Sequence, residues 1–505
     1  MWAGEGRARA PPAPAFHFRR GDSKRDLLRR VIKVVLHFAL RVFFRRIEVV
    51  GRRRVPRDGA CLFVLNHPNG LVDPAFLLCF APRRVSFLAK SPLFRMPVIG
   101  FFVRALDSIP VYRKQDEGEG AASRNRETFE RSAALLRRGG TIAICPEGAS
   151  HSEPYLLPLK SGAARIALGA VSVGAGGRGK GEGAENPDPL PAPPAPLDLK
   201  IVPVGLYYTA KTTFRSGALL YFGEPIPVEP VGTAADGEPP REAVRALSER
   251  IADALRSLTL NADQHEALAV VARAERIFSS GDDREERPSL ERELRRRRLF
   301  VEAYAFHRRH SPARLEELER RVTQYEESLR QAGLEDPRQL SPSVVSEYAR
   351  ARTVVARVAL FVLLLPAALA GAVLHYPSYK LAGLLATRFS REYDDVLSTF
   401  KIAAALLLFP LTWGALAFAL HRLAGWWGVL AALVCAPLSG LIALRAREEF
   451  GRFLAGTRAA LFFIRQRTFF RRLLEERRRI RAEILALGDE YERAAAPEGT
   501  GLAGS

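Results

Sequence analysis

The period of the hydrophobic positions changes along the chain, and each change marks a different kind of element. Arg19 to Arg46 interleaves Arg and Lys with Leu27, Leu28, Val31, Ile32, Val34, Val35, Phe38, Leu40, Val42 and Phe43, the pattern of a basic amphipathic helix. Its apolar part is shorter than the ~20 residues a crossing needs. The pattern therefore predicts a helix on a membrane surface, the alternative being one packed on a domain. From Ile47 to about Leu260, strand-like and helix-like periods alternate, which predicts an α/β domain. Its expected strands are Cys61 to Leu65, Val85 to Ala89, Ser108 to Tyr112, Thr141 to Cys145, Ile201 to Tyr207 and Ala218 to Phe222. Its expected helices are Pro74 to Phe80, Arg124 to Arg138 (stopped by Gly139-Gly140) and Ser161 to Val173. Gly174 to Pro196 is rich in Gly and Pro with few bulky apolar residues, so it is expected to be a disordered, removable insertion.

Beyond the α/β domain the pattern becomes charged and helical over residues 262–350, with Glu316 and Arg320 spaced for an i,i+4 pair. The run Arg295 to Arg298 reads either as a solvated helix face or as a phosphate or headgroup contact. Val354 to Leu374 and Ile402 to Leu444 are apolar enough to cross a bilayer, and Arg422 with Gly425 can turn the second into a hairpin, which would make three crossings. The arginines that follow, from Arg447 to Arg481, belong by the positive-inside rule in the cytoplasm with the α/β domain. That requires an even number of crossings, so one apolar segment is expected to be re-entrant. The resulting plan is a disordered N-terminus (1–18), a membrane-surface helix (19–46), an α/β domain (47–260, insertion 174–196) and a charged helical region (262–350). A transmembrane region (353–446), a basic helical tail (447–495) and a disordered end (496–505) complete it.

Composition narrows the partners. With 505 residues, 48% of them apolar, the chain has room for two or three domains and a sizeable core. The net charge of +21 and pI near 10.3 call for a polyanionic partner, and the apolar runs after residue 353 favour anionic lipid over nucleic acid. Cys61, Cys79, Cys145 and Cys435 lie in apolar segments without paired or metal-type spacing, so they read as reduced core residues. His265, His307 and His310 form no ligand set, and no metal or cofactor is expected. Met1 to Pro14 lacks the apolar core of a secretory signal, so no cleaved peptide is expected.

The candidate chemistry sits where the first expected strand ends. Asn66-His67-Pro68-Asn69-Gly70-Leu71-Val72-Asp73 carries a histidine and a carboxylate out of a buried strand on a turn. A His held by an Asp can take a proton from an alcohol, the carboxylate fixing the tautomer and stabilising the imidazolium. The competing reading makes Asp73 the N-cap of the next helix and His67 a turn residue. Three further blocks follow in order: Ser108-Ile109-Pro110-Val111-Tyr112-Arg113, then Cys145-Pro146-Glu147-Gly148, then Val202-Pro203-Val204. Arg113 has the planar fork that suits a phosphate. Cys145 beside Pro146-Glu147 reads as core in preference to an acyl-carrying nucleophile.

Together the four blocks resemble those of the glycerolipid acyltransferases over about residues 50–225. The resemblance implies a mixed-sheet α/β acyltransferase domain and transfer of a fatty acyl chain from acyl-CoA or acyl carrier protein to glycerol 3-phosphate or a relative. It also implies His67 and Asp73 as the catalytic pair, and Asn66, Arg113, Glu147 and Gly148 toward the glycerol-phosphate acceptor. Two departures matter. The family usually has four residues between His and Asp; here Pro68 to Val72 makes five, as in fungal-type glycerol-3-phosphate and dihydroxyacetone-phosphate acyltransferases, which also look similar in having a Ser-His like Ser150-His151. The common arginine after the third block is missing, and Lys160, near a helix start, is the candidate replacement. Two alternatives remain: a lysophosphatidic acid acyltransferase, or a non-catalytic membrane-surface scaffold on the same fold.

Overall fold

The computed structural model describes residues 23–113, 117–172, 197–234, 238–263, 265–279, 289–334, 337, 351–390 and 394–495. The expected disordered ends and the 174–196 insertion lie outside these residues.

Strand β2 (Ala60–Leu65) is apolar throughout and buried throughout, as a strand covered on both faces must be. It is central in a mixed sheet ordered β1 (Arg46–Val50), β7 (Gly217–Phe222), β6 (Leu199–Tyr208), β2, β5 (Thr141–Ile144), β3 (Ser86–Lys90), β4 (Ile109–Val111), and β8 (Ile226–Pro227) also pairs with β6. Neighbours are parallel except where β6 meets β7 and β8. The strands expected from periodicity are present to within two residues at each end. The edge strand β1 was hidden by the basic helix running into it, and β8 is too short to carry a period.

One face of the sheet is covered by α1 (Ser23–Phe43) and α2 (Val72–Phe80), which close a core around Phe63, Leu65, Leu40, Phe44 and Phe76. Two short helices, α3 (Ser91–Arg95) and α4 (Pro97–Ala105), lead from β3 to β4. The other face carries α5 (Ala121–Arg137), α6 (Gly162–Val171) and α7 (Arg241–Leu258) over Leu62, Val64, Leu136, Ile166 and Leu255. Helix α1 has two apolar faces. Ile32, Ala39, Leu40 and Phe43 pack into the core, whereas Leu27, Val31, Val34, Val35 and Phe38 are exposed. Its basic residues are not all surface groups: Arg29 is buried, donating to the carbonyls of Val85 and Leu106 and pairing with Asp107 at 3.2 Å.

Helices α8 (His265–Ser279), α9 (Leu290–His310) and α10 (Pro312–Gln331) do not stand apart from the basic tail. They bundle with the C-terminal α13 (Arg467–Ala495) around Ile277, Phe300, Val322, Tyr325, Phe470, Ile480 and Ile484. The two regions that composition separates are therefore one helical domain. The four-arginine run is largely committed inside the protein: Arg295 pairs with Glu291, Arg296 with Glu275 and Arg297 with Glu293, and Arg298 donates to the Ser257 carbonyl. Arg320 pairs with Glu317, one residue closer than the expected Glu316. His307 is buried between Ser311 and the Leu487 carbonyl.

Between these parts lie α11 (Ala351–Ser390) and α12 (Asp394–Arg465). Val358–Ser390 and Asp394–Gly451 are long and apolar enough to cross a membrane, with only 11% and 17% of their most apolar windows buried. A core helix would be covered, so this apolar surface is suited to lipid. A straight helix over the 58 residues of Asp394–Gly451 would be ~87 Å long, against ~30 Å of hydrocarbon. It folds back instead: Ala424 and Gly425 leave helical geometry, and Gly428 returns against the Leu420 carbonyl.

Helix α11 follows both arms of that hairpin in turn. Phe361 stacks on Phe450, Gly371 backs onto Ser439, Ser378 bonds Thr412, and Phe389 stacks on Phe400. Phe450 and Phe400 are both near the α/β domain, because Glu448 pairs with Arg215 and Lys401 donates to the Thr212 carbonyl. Helix α11 itself is continuous from Ala351 to Ser390 with Pro366 and Pro377 inside it; His375 bonds Trp413, and Tyr379 meets Phe214 of the α/β domain. The bundle of α13 with α8 to α10 requires both flanks of the α11 and α12 region to lie on the same side. Cys435, expected in the core, is exposed on the outer surface of this region.

Candidate active site

The four sequence blocks converge at one end of the sheet, where β2, β5 and β6 finish side by side. The ladder stops at Leu65 with Val204, and Asn66 extends it with its side chain, donating to the Leu206 carbonyl at 3.0 Å and accepting from the Leu206 amide at 2.7 Å. Its backbone is then free to turn. The five-residue loop brings Asp73 back so that His67 Nδ1 and Asp73 Oδ2 are 2.9 Å apart. The carboxylate is fully buried and held on two further sides: the Asn69 amide donates to Oδ2 at 2.7 Å and the Tyr208 hydroxyl to Oδ1 at 2.6 Å. Asp73 is not the cap of its helix, because α2 begins at Val72 and its cap makes no side-chain bond. The carboxylate spends its acceptor sites on the turn.

This arrangement fixes the imidazole. With Nδ1–H donated to Asp73, Nε2 is the nitrogen left to accept a proton. Burial alone pushes the His67 pKa down, but the nearby Cys145 sulfur and the Asp73 carboxylate outweigh it and hold the pKa well above the ordinary histidine value. Burial, with the Asp73 charge, pushes the Tyr208 hydroxyl well up, so it remains a proton donor to Asp73. Tyr208 is seated by ring contacts with Phe44 and Phe76, which ties the Asp73 carboxylate to the end of α1.

The third block acts on the same turn. Glu147 is buried and accepts from the His67 amide at 2.9 Å, from the Leu157 amide at 2.9 Å and from the His151 ring at 2.5 Å. Asn66, Glu147 and Ser150, expected toward substrate, thus turn their side chains to partners within the protein, Ser150 bonding Asp395 at 2.5 Å. Arg113, Gly148 and Lys160 are brought together. Arg113 donates to the Gly148 carbonyl at 3.4 Å, and Gly148, at φ +77°, has the Lys160 ammonium directly over its Cα: an added Cβ would lie 2.5 Å from Nζ. Two cations therefore flank one backbone turn beside the histidine, an arrangement suited to a phosphate.

Sequence reasoning missed Tyr208, the Asn69 amide and Lys211. Lys211 is partly buried, with burial lowering its pKa, and donates to the carbonyls of Pro68 and His151 and to the Ser152 hydroxyl. Tyr208 could have been found as the last residue of a strand beside the catalytic one; nothing marks Lys211. Among the described residues no cluster of His, Cys, Asp and Glu is arranged to hold a metal ion.

The chain matches the Acyltransferase family over residues 46–207, and the C-terminal domain of glycerol-3-phosphate acyltransferase 2 over residues 270–494. Residues 46–207 are thus similar to the Acyltransferase family and residues 270–494 to the C-terminal domain of a glycerol-3-phosphate acyltransferase. Glycerol-3-phosphate O-acyltransferase 2 of Saccharomyces cerevisiae is 30% identical over 57% of this chain and 37% of its own length. An uncharacterized acyltransferase of Schizosaccharomyces pombe is 26% identical over 75% of this chain and 66% of its own. Glycerol-3-phosphate O-acyltransferase 1 of S. cerevisiae is 25% identical over 64% of this chain and 50% of its own. The chain thus spans between about a third and two thirds of the length of these relatives. The first match holds the whole His67 to Lys160 constellation, and the second coincides with the membrane helices and the bundle around them.

Proposed function

We propose that the protein transfers a fatty acyl chain from an acyl thioester, acyl-CoA or acyl carrier protein, to a hydroxyl of glycerol 3-phosphate or dihydroxyacetone phosphate. The observation that carries this is the His67–Asp73 pair at 2.9 Å, locked by Tyr208 and Asn69. His67 Nε2 takes the proton of the acceptor hydroxyl as its oxygen attacks the thioester carbonyl, and Asp73 stabilises the imidazolium. The tetrahedral intermediate collapses by breaking the C–S bond, and the imidazolium returns the proton to the departing thiolate. Arg113 and Lys160 bind the acceptor phosphate across the Gly148 turn; Asn66, Glu147 and Ser150 act by holding that turn and the histidine. The likeness to two yeast glycerol-3-phosphate O-acyltransferases favours glycerol 3-phosphate over lysophosphatidic acid. The same reading sets the apolar helices in an anionic bilayer with the catalytic domain on the cytoplasmic face, where the basic tail also belongs.

The purified full-length chain in liposomes, given labelled acyl-CoA with glycerol 3-phosphate, dihydroxyacetone phosphate or lysophosphatidic acid in turn, tests the reading. Label should enter glycerol 3-phosphate or dihydroxyacetone phosphate; label in lysophosphatidic acid alone refutes the acceptor, and label in none supports the scaffold. A second reading, an acyl-Cys145 intermediate, draws on the sulfur lying beside His67. Cys145→Ala with activity retained and sequential kinetics rejects it.

A further inference from the structure

The turn between His67 and Asp73 carries one residue more than the usual family pattern, and its outer side is held by a membrane helix. The Leu71 amide lies at the N-terminus of α2, where helix donors have no partner of their own. Thr399 of α12 accepts it at 3.1 Å. Gly70, at φ +40°, is pressed against the same helix: an added Cβ would lie 2.9 Å from the Asp395 carbonyl oxygen and 3.0 Å from Thr399 Oγ1. Helix α12 also reaches the other half of the site. Asp395 Oδ2 accepts from Ser150, whose neighbour His151 braces Glu147 beneath the His67 amide. Ser398 donates to the Lys211 carbonyl at 2.5 Å, and the Lys211 ammonium ties Pro68 to His151.

We infer that the first turns of α12, through Asp395, Ser398 and Thr399, are a positioning element that sets the distance between the catalytic histidine and the phosphate-binding turn. The inference rests on the acyl-transfer reading above. The membrane hairpin is then a working part of the site, and its seat on the domain governs turnover. These residues act through the base turn and touch no substrate. A displacement of ~1 Å at a reacting centre costs on the order of 100-fold in rate, and a half-buried amide that loses its acceptor carries a penalty that the turn relieves by shifting toward water.

The test uses the full-length protein in phosphatidylcholine/phosphatidylglycerol liposomes. Thr399→Val keeps the shape and removes the acceptor; it should lower kcat about 10- to 100-fold with both KM values within about twofold, and Thr399→Ser should restore most of the loss. Leu430→Ala, on the exposed surface of the second arm, should change nothing. Carbethoxylation of His67 by diethyl pyrocarbonate, read by mass spectrometry without any substrate, should be faster in Thr399→Val than in the wild type. Near-normal kcat in Thr399→Val, a loss that Thr399→Ser does not rescue, or a rise confined to acceptor KM overturns the inference. If Thr399→Val fails to fold by thermal melting, the smaller Thr399→Ala carries the same comparison. A wild-type protein that acylates nothing counts against the functional reading alone, and equal His67 labelling in wild type and Thr399→Val then still refutes the positioning role.

Discussion

At the scale of single residues, the raised pKa of His67 has a direct kinetic consequence. A general base works only when neutral, so kcat/KM should rise with pH along a limb whose midpoint lies above ~6.5, the ordinary histidine value. Asp73→Asn removes the carboxylate that favours the imidazolium. It should therefore move the midpoint toward acid pH while lowering kcat, because the tautomer is no longer fixed. His67→Ala should lose ~10²- to 10⁴-fold in kcat with the fold retained, and a variant with near-normal turnover would end the general-base mechanism. A midpoint that stays put in Asp73→Asn would assign the limb to another group. Arg113 tests the other half of the site. Arg113→Ala should raise acceptor KM about tenfold or more with donor KM little changed, since a charge-assisted hydrogen bond contributes ~1.5–3 kcal/mol. Arg113→Lys should recover part of it, a lysine lacking the bidentate fork. Equal shifts in both KM values would remove Arg113 from the phosphate.

At the scale of elements, legibility followed how local each signal was. The β2 strand and the turn after it could be read because an all-apolar run ending in His-Pro-Asn-Gly is self-contained in sequence. Tyr208, Lys211 and Thr399 could not, because each reaches the site from a distant segment and makes its contact only once β6 and α12 are in place. Helix α1 is the intermediate case. Its pattern fitted both a membrane-surface helix and a packed one, and the structure packs one apolar face on the core and leaves another exposed. Leu40, 1% exposed between α1 and the sheet, should cost roughly 2–4 kcal/mol on truncation to Ala, seen as a lower Tm. Val34→Ser with Phe38→Ser, on the outer face, should leave Tm unchanged and reduce activity toward long-chain donors more than toward short, soluble ones. Equal losses for both donor lengths would make the outer face irrelevant to how the acyl chain enters.

At the scale of the whole molecule, hydropathy could count apolar segments but not say which of them returns. Composition asks for an even number of crossings, and packing supplies it: α13 must meet α8, α9 and α10 to bury Ile277, Phe470 and Ile480, so the chain has to come back to the side it left. We predict that the hairpin of α12 alone crosses the bilayer and that α11, one continuous helix whose Tyr379 meets Phe214 of the α/β domain, stays on the catalytic side. The arrangement can be read with a membrane-impermeant maleimide on full-length protein in sealed vesicles of both orientations. Cys435 and Cys145 are first replaced, by Ser and Ala; Cys61 and Cys79 stay, since burial pushes their thiols up to about 12 and leaves them unreactive. Leu423→Cys, at the hairpin tip, should label only from the face opposite the catalytic domain. Phe389→Cys and Leu485→Cys should label only from the catalytic face, and Tyr376→Cys, midway along α11, should not label from the opposite face. Tyr376→Cys or Phe389→Cys reacting from the opposite face would turn α11 into a third crossing. The bundle of α13 with α8 to α10 would then have to form across the bilayer, which its buried core forbids, so either result would require the packing of the whole C-terminal half to be redrawn.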